Sequence, residues 1–228
     1  MSPGLRIKKL EQPLCMKQRG CLNIRNCFLR MREKIVRHTY YTLSFNSRHK
    51  QANWVYYILG SEGKERVAER TDRFREDKKV PSGSAKPSDY TKSGYDRGHL
   101  CPAADMTHSA EAMEETFLMS NISPQLPVFN RGIWKSLEKQ VRDWGEKERI
   151  YIVTGPVFKD NKGKIGRTGV TVPGFFLQSS LCSRGPANDC FCSSQYPRKK
   201  AIAGLCSDCG FRRTAHKHRF FPTIIRYT

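Results

Sequence analysis

The chain has 228 residues, 38% of them hydrophobic and 11% aromatic, with a formal net charge of +20. That is enough apolar material to bury the core of one good-sized domain, which excludes a disordered chain. No run of about 18 apolar residues exists to make a transmembrane helix. Leu14 to Met31 is interrupted by Lys17, Arg19, Arg25 and Arg30, so no signal peptide is visible.

The charge points to a polyanionic partner, but it is unevenly spread. Residues 1–36 and residues 182–228 each carry nine Lys/Arg against two acids, so the middle is only moderately basic. Cysteine follows the same division. Cys15, Cys21 and Cys27 lie in the first segment, Cys182, Cys190, Cys192, Cys206 and Cys209 in the last, and Cys101 alone between them. An odd count with no regular framework is a poor match to a disulfide scaffold. Three regions follow: a basic, Cys-containing extension over 1–36, a domain over 37–176, and a divergent Cys/Arg-rich tail over 177–228.

In chain order, Tyr40 to Asn46 is rich in β-formers and predicts a strand, and Asn53 to Gly60 predicts a second one closed by glycine. Residues 61–94 are polar, punctuated by Pro81, Gly83, Pro87 and Gly94, and read as a long surface connection of the kind that is more often functional than idle. Tyr95 to Ala104 is read as a loop too short to form an element. Ser109 to Met119 predicts a short helix with Ser109 as N-cap and Glu111 in the first turn. Trp134, Leu137, Val141 and Trp144 recur at helical spacing and predict a helix buried on one side. Ile150 to Gly155 predicts a buried strand, and Val170 to Phe176 begins another. Strands and helices mix without βαβ regularity, so the class is α+β.

The chemistry gathers in Asp96-Arg97-Gly98-His99, Ser120-Asn121-Ile122-Ser123-Pro124-Gln125, and Asn130 with Glu138. An imidazole titrating near pH 6.5 can take a proton from water at neutral pH; a loop histidine is otherwise simply solvated or hydrogen-bonded. Gly98 lets the backbone come close to a bulky substrate. Asp96 can orient the ring, pair with an arginine, or serve only as a turn residue. Asn130 reads either as the N-cap of the Trp134 helix or as an amide oxygen ligand for Mg²⁺, a hard ion that keeps most of its waters. Eight helical residues rise about 12 Å, so Asn130 and Glu138 cannot both ligate one ion at the usual ~2.1 Å. If both serve it, Glu138 acts through water.

The order Asp-Arg-Gly-His, Ser-Asn-Ile-Ser-Pro-Gln, then Asn130-Arg131-Gly132-Ile133-Trp134 with Leu137-Glu138 closely resembles the DNA/RNA non-specific endonuclease family, from Arg37 to Phe176. The resemblance implies a ββα-metal (His-Me finger) core with a mixed or antiparallel sheet and flanking helices, His99 at the hairpin and Asn130 on the helix. It implies that His99 is the general base and Asn130 the direct Mg²⁺ ligand, with Mn²⁺ able to take its place. Glu138 would hold the hydrated ion through water, and Asn121 would support the site by hydrogen bonding. Arg97 would contact phosphate, together with Arg70 or Arg73 from the preceding segment. Expected partners are DNA and RNA as substrates, with no membrane and no small-molecule cofactor.

After Phe176 the motif-level resemblance stops and the tail reads as aperiodic. Cys206, Cys209, His216 and His218 are suitable zinc ligands, but the gap between the cysteine and histidine pairs is short for known spacings. The sharper reading is a frame-shifted translation over 177–228. Codons for Leu177 to Leu181, read one base later, can give Tyr-Lys-Val-Val-Leu. At the same offset Asn188 to Tyr196 can give Met-Ile-Ala-Phe-Val-Leu-Pro-Asn, and Leu205 to Phe211 can give Tyr-Ala-Val-Thr-Val-Asp-Ser. This reading expects a scaffold short of apolar strands at its C-terminal side. It carries the alternative function of a catalytically impaired, nucleic-acid-binding remnant.

Overall fold

The computed structural model describes residues 34–60, 67–158, 160–182 and 188–196. The chain divides into two compact units, Met1–Arg32 and Glu33–Thr228, and every described residue lies in the second. The candidate zinc residues Cys206, Cys209, His216 and His218 lie outside the described residues, as do Cys15, Cys21 and Cys27.

Strands β1 (Lys34–Arg37), β2 (Tyr41–Asn46) and β3 (Gln51–Leu59) form an antiparallel meander. It continues through β6 (Ile150–Val157) to β9 (Phe175–Cys182) and β10 (Asn188–Ser194). The six strands lie in the order β1-β2-β3-β6-β9-β10, each paired antiparallel with its neighbours. β1 begins inside the stretch read from sequence as an extension. Alternation explains the buried face: in β3, Val55, Tyr57 and Leu59 point inward while Trp54, Tyr56 and Ile58 are only partly covered.

Two small sheets flank this layer. β4 (Asp96–His99) pairs with β5 (Ile122–Gln125), placing His99 opposite Ile122 and Gly98 opposite Ser123. β7 (Lys164–Ile165) pairs with β8 (Val170–Thr171), so the strand expected over Val170 to Phe176 is split at Pro173-Gly174. The Asp-Arg-Gly-His segment is therefore a strand in its own right, not the loop the sequence suggested. Its isolated propensity is weak, and the pairing with β5 supplies the missing hydrogen bonds.

Helix α1 (Ala110–Thr116) starts where expected, with the Ser109 side chain accepting from Ala112 N at 3.0 Å. A 3-10 turn over Met119–Asn121 then leads into β5. Helix α2 (Pro127–Phe129) runs through a wide π turn (Asn130–Trp134), bent at Gly132, into α3 (Lys135–Gly145). Leu126 is the N-cap of this run, and Asn130 lies one turn inside it, which overturns the N-cap reading of Asn130. Trp134, Leu137 and Val141 bury the inner face of α3 in the same core cluster as Leu43, Val55, Ile152 and Phe176. Each such side chain contributes roughly 1.5–3 kcal/mol. No helix among the described residues is long and apolar enough to cross a membrane.

Among the described residues beyond Phe176 the chain continues as strands. β9 lies in the sheet between β6 and β10, so β6 is not left as the sheet edge. Its chemistry is nevertheless unusual for that place, because Gln178, Ser179 and Ser180 are all buried. Among the described residues, Gln178 Oε1 has no hydrogen-bond partner, and neither has Oγ1 of Thr154, its register partner on β6.

Candidate active site

The β4–β5 hairpin sets His99. Its last turn is tied to the chain beyond it by Asn121, which is fully buried. Asn121 Oδ1 accepts from Cys101 N at 2.9 Å, and Asn121 Nδ2 donates to Cys101 O and Thr116 O, each at 2.9 Å. The backbone adds Leu100 N to Asn121 O at 3.0 Å. Asn121 thus uses its side-chain hydrogen bonds to hold the histidine segment against the end of α1. Gly98 is needed for a different reason from the one expected. A Cβ there would run into the buried Gln125 side chain across the hairpin, not into the space a substrate would use.

The His99 ring sits between two aromatics, with centroids 5.7 Å from Phe74 and 5.2 Å from Phe117. Burial, and then the Arg70 guanidinium, push its pKa down to about 3. The imidazole is therefore neutral at neutral pH, and its Nε2 has no hydrogen-bond partner among the described residues. A buried ring nitrogen with no partner among the described residues is open to a hydrogen-bonding substrate or water, although burial and Arg70 make the charged ring costly.

Beyond Phe74, which packs on the ring, opens a cleft of about 350 Å³ lined by Arg70, Arg97, Arg131, Phe74, Tyr90, Tyr95, Asp96 and Asn130; His99 and Glu138 are not among its lining residues. Arg97 donates to Pro87 O at 3.1 Å and lies 5.0 Å from the Phe74 ring centroid; its buried Nε has no partner among the described residues. Arg70 lies 5.3 Å from the Phe117 ring centroid and pairs with Asp72 at 2.8 Å. Arg73 is 74% exposed, pairs with Glu114 at 3.7 Å and does not line the cleft. The geometry therefore separates two arginines that the sequence left equivalent.

Asn130 reaches the cleft from the π turn, whose flanking Phe129 and Trp134 stack at 5.4 Å and both pack on Phe176 at 5.5 Å. Its Nδ2 donates to Asp96 Oδ2 at 2.9 Å. Arg131 grips the same carboxylate from the other side, Nε to Oδ2 at 2.8 Å and Nη2 to Oδ1 at 2.7 Å. Asp96 thus pairs with an arginine and does not orient the histidine ring. Burial pushes its carboxyl up, but the Arg131 and Asn130 hydrogen bonds outweigh this and hold it below the ordinary range.

Glu138, in the first turn of α3, is pushed up to about 8 by burial and then by the Asp105 carboxylate, with Arg142 and Arg70 opposing. Asp105 is buried, accepting from Arg142 Nη1 at 2.6 Å and from Tyr57 OH at 3.0 Å. Sequence reasoning missed Asp105, Arg142 and Arg131. The four-residue spacing of Glu138 and Arg142 on a helix was the available signal for Arg142, while nothing local marks Asp105. Among the described residues no three His, Cys, Asp or Glu side chains gather as a metal cage.

His99 on the β4–β5 hairpin and Asn130 on the helical run are thus linked through Asp96 and the cleft arginines, Arg131 being one that the motif order did not imply. The chain matches the DNA/RNA non-specific endonuclease family over residues 23–216. It belongs to that family. It is 44% identical to a nuclease of Nostoc sp. over 136 residues, covering 58% of this chain and 48% of that protein. It is 36% identical to the mitochondrial endonuclease G of Homo sapiens over 151 residues, covering 60% and 51%. The chain spans about half the length of the curated relatives it matches.

The fold is similar to a solved chain from the crystal structure of the EndoG/EndoGI complex, which concerns the mechanism of EndoG inhibition. The TM-score is 0.66 at 25% identity, covering 76% of this chain and 79% of that one. The α+β, ββα-metal fold of the family is thus the fold of this chain. The family match runs well past Phe176, where the motifs end, and takes in β9 and β10.

Proposed function

We propose that the protein is a metal-dependent endonuclease that hydrolyses phosphodiester bonds of DNA and RNA without sequence preference. One observation carries this reading: a neutral His99, whose Nε2 has no partner among the described residues, packs on Phe74 in the wall of a cleft whose polar lining includes Arg70, Arg97 and Asn130. His99 takes a proton from water as the water oxygen bonds to phosphorus and the opposite P–O bond breaks. Arg70 and Arg97 stabilise the negative charge that grows on the phosphoryl oxygens. An anion lodged between them also offsets the guanidinium that depresses His99, raising the base toward its working range. Contacts to phosphate carry no sequence information, so cleavage has little base preference.

The residues fit a divalent ion. Among the described residues nothing donates to Asn130 Oδ1, which leaves one hard oxygen ligand; Glu138, eight residues further along the same helical run and outside the cleft lining, would act only through coordinated water. Asn130 would hold Mg²⁺, or Mn²⁺, which supplies positive charge to the phosphate and the leaving oxygen. The test is plasmid and RNA degradation with Mg²⁺ beside a His99→Ala control. Loss of the base should cost about 10²–10⁴ in rate, and equal rates would remove the proposal.

The unpaired polar groups buried in β9 and β6 favour a second reading, a nucleic-acid-binding remnant with an impaired scaffold. Binding of nucleic acid with no Mg²⁺-dependent cleavage in the same assay would select it.

A further inference from the structure

The Asp96 carboxylate is 17% exposed, and it receives three hydrogen bonds: one from Asn130 Nδ2 and two from Arg131, itself 72% exposed. An ionised carboxylate can only accept, so the nitrogen end of the Asn130 amide must face it. A carboxamide is nearly symmetric in shape, and only its hydrogen bonds decide which end points where. We infer that Asp96, clamped by Arg131, is a positioning residue that turns the Asn130 amide so that its oxygen is presented to the divalent cation. The inference rests on the reading of Asn130 as the ligand.

Plain electrostatics makes a different prediction. By charge alone, Asp96 attracts a cation whatever stands at position 130, and Arg131 repels it. Orientation makes both effects depend on the chemistry of residue 130. In Asn130→Asp the ligand has two equivalent oxygens, so there is no amide left to orient.

The test is Mn²⁺ affinity of the full chain without nucleic acid, read by electron paramagnetic resonance of the free ion. Asp96→Ala and Arg131→Gln are each measured in the native and the Asn130→Asp backgrounds. In the native background Asp96→Ala should weaken binding about tenfold, the low end for a residue that orients a metal ligand. Arg131→Gln, a change at an exposed side chain that leaves the fold intact, should weaken it roughly threefold although a repelling charge is removed. In Asn130→Asp neither change should weaken binding. Equal weakening by Asp96→Ala in both backgrounds, or tighter binding by Arg131→Gln in the native one, would overturn the inference. Native Mn²⁺ affinity in Asn130→Ala would instead overturn the assignment of the ligand itself.

Discussion

At the scale of single residues, the cleft turns on how Arg70 and His99 act on each other. Burial contributes most to the depressed histidine, and Arg70 adds to it. Arg70→Gln removes a cation beside the imidazole, so the acid limb of kcat/KM should move to higher pH. Loss of a charge-assisted phosphate contact of about 1.5–3 kcal/mol should also lower kcat/KM roughly 10- to 100-fold. Arg73→Gln, on the Glu114 side and outside the cleft, should change neither. A pH–rate profile of the two variants checks this, and an unmoved acid limb in Arg70→Gln would separate the arginine from the base.

The residues proposed for the chemistry stand out in the sequence because the motif is contiguous: Asp96, Arg97 and His99 are neighbours in the chain. The choice between Arg70 and Arg73 was not legible, because it depends on Phe117 and Glu114, more than 40 residues away and brought close only by α1. Arg131 escaped notice as a variable position inside the Asn-Gly-Trp pattern. Its partner Asp96 lies across the cleft on another element.

At the scale of elements, the site is a hairpin fastened to one helix and facing another. Asn121 is the fastener, through three side-chain hydrogen bonds to buried backbone groups. Asn121→Leu should destabilise the fold by about 1–3 kcal/mol for each backbone group left unpaired. It should lower kcat through misplacement of His99 more than it raises KM, since it removes no phosphate contact. Chemical denaturation with parallel kinetics measures both, and a variant of native stability would show that Asn121 is not the fastener.

The helix run shows where periodicity helped and where it failed. Trp134, Leu137 and Val141 marked α3 correctly because burial on one face writes a period into the sequence. The run begins earlier, at Pro127, and passes through a π turn at Asn130. Phe129 and Trp134, both packed on Phe176, fix that turn, and a contact with a strand so distant in sequence leaves no local trace.

At the scale of the whole molecule, buried polar chemistry decides how stability responds to pH and to substitution. Burial pushes the Asp77 carboxyl up, but its contacts with His38 Nε2 at 3.0 Å and Ser120 Oγ at 2.6 Å outweigh this and hold it below the ordinary carboxylate value. A carboxylate depressed in the fold gives stability above its unfolded pKa of about 3.9 and loses it as pH falls further. His99 acts in a higher window. Buried neutral, it favours the fold above its unfolded pKa of about 6.5 and progressively less as pH falls toward 3. Glu138, raised in the fold to about 8, acts in the opposite direction over much of the same range. The His99 contribution is therefore read as a difference: on acidification below about 6.5 the native chain should lose melting temperature relative to His99→Leu, and parallel curves for the two would contradict the buried neutral ring.

In β9 and β6 the polar groups are a burden. Thr154→Val replaces a buried hydroxyl that has no partner among the described residues with a methyl group of the same shape and should raise stability by about 1 kcal/mol. A decrease on thermal melting would mean that the hydroxyl has a partner after all. The same polar strand is what a one-base shift at codon 177 would produce. The coding DNA should then hold a shifted reading that restores an apolar strand there, and the lack of one would make the polar strand native.

The most direct measurement of the whole account is the rate of plasmid cleavage against Mg²⁺ concentration for the native chain, His99→Ala and Asn130→Ala. His99→Ala should lower the maximal rate by about 10²–10⁴ without moving the half-saturating Mg²⁺ concentration, while Asn130→Ala should move that concentration upward. Native curves from both variants would contradict a water-activating His99 opposite a cation held at Asn130.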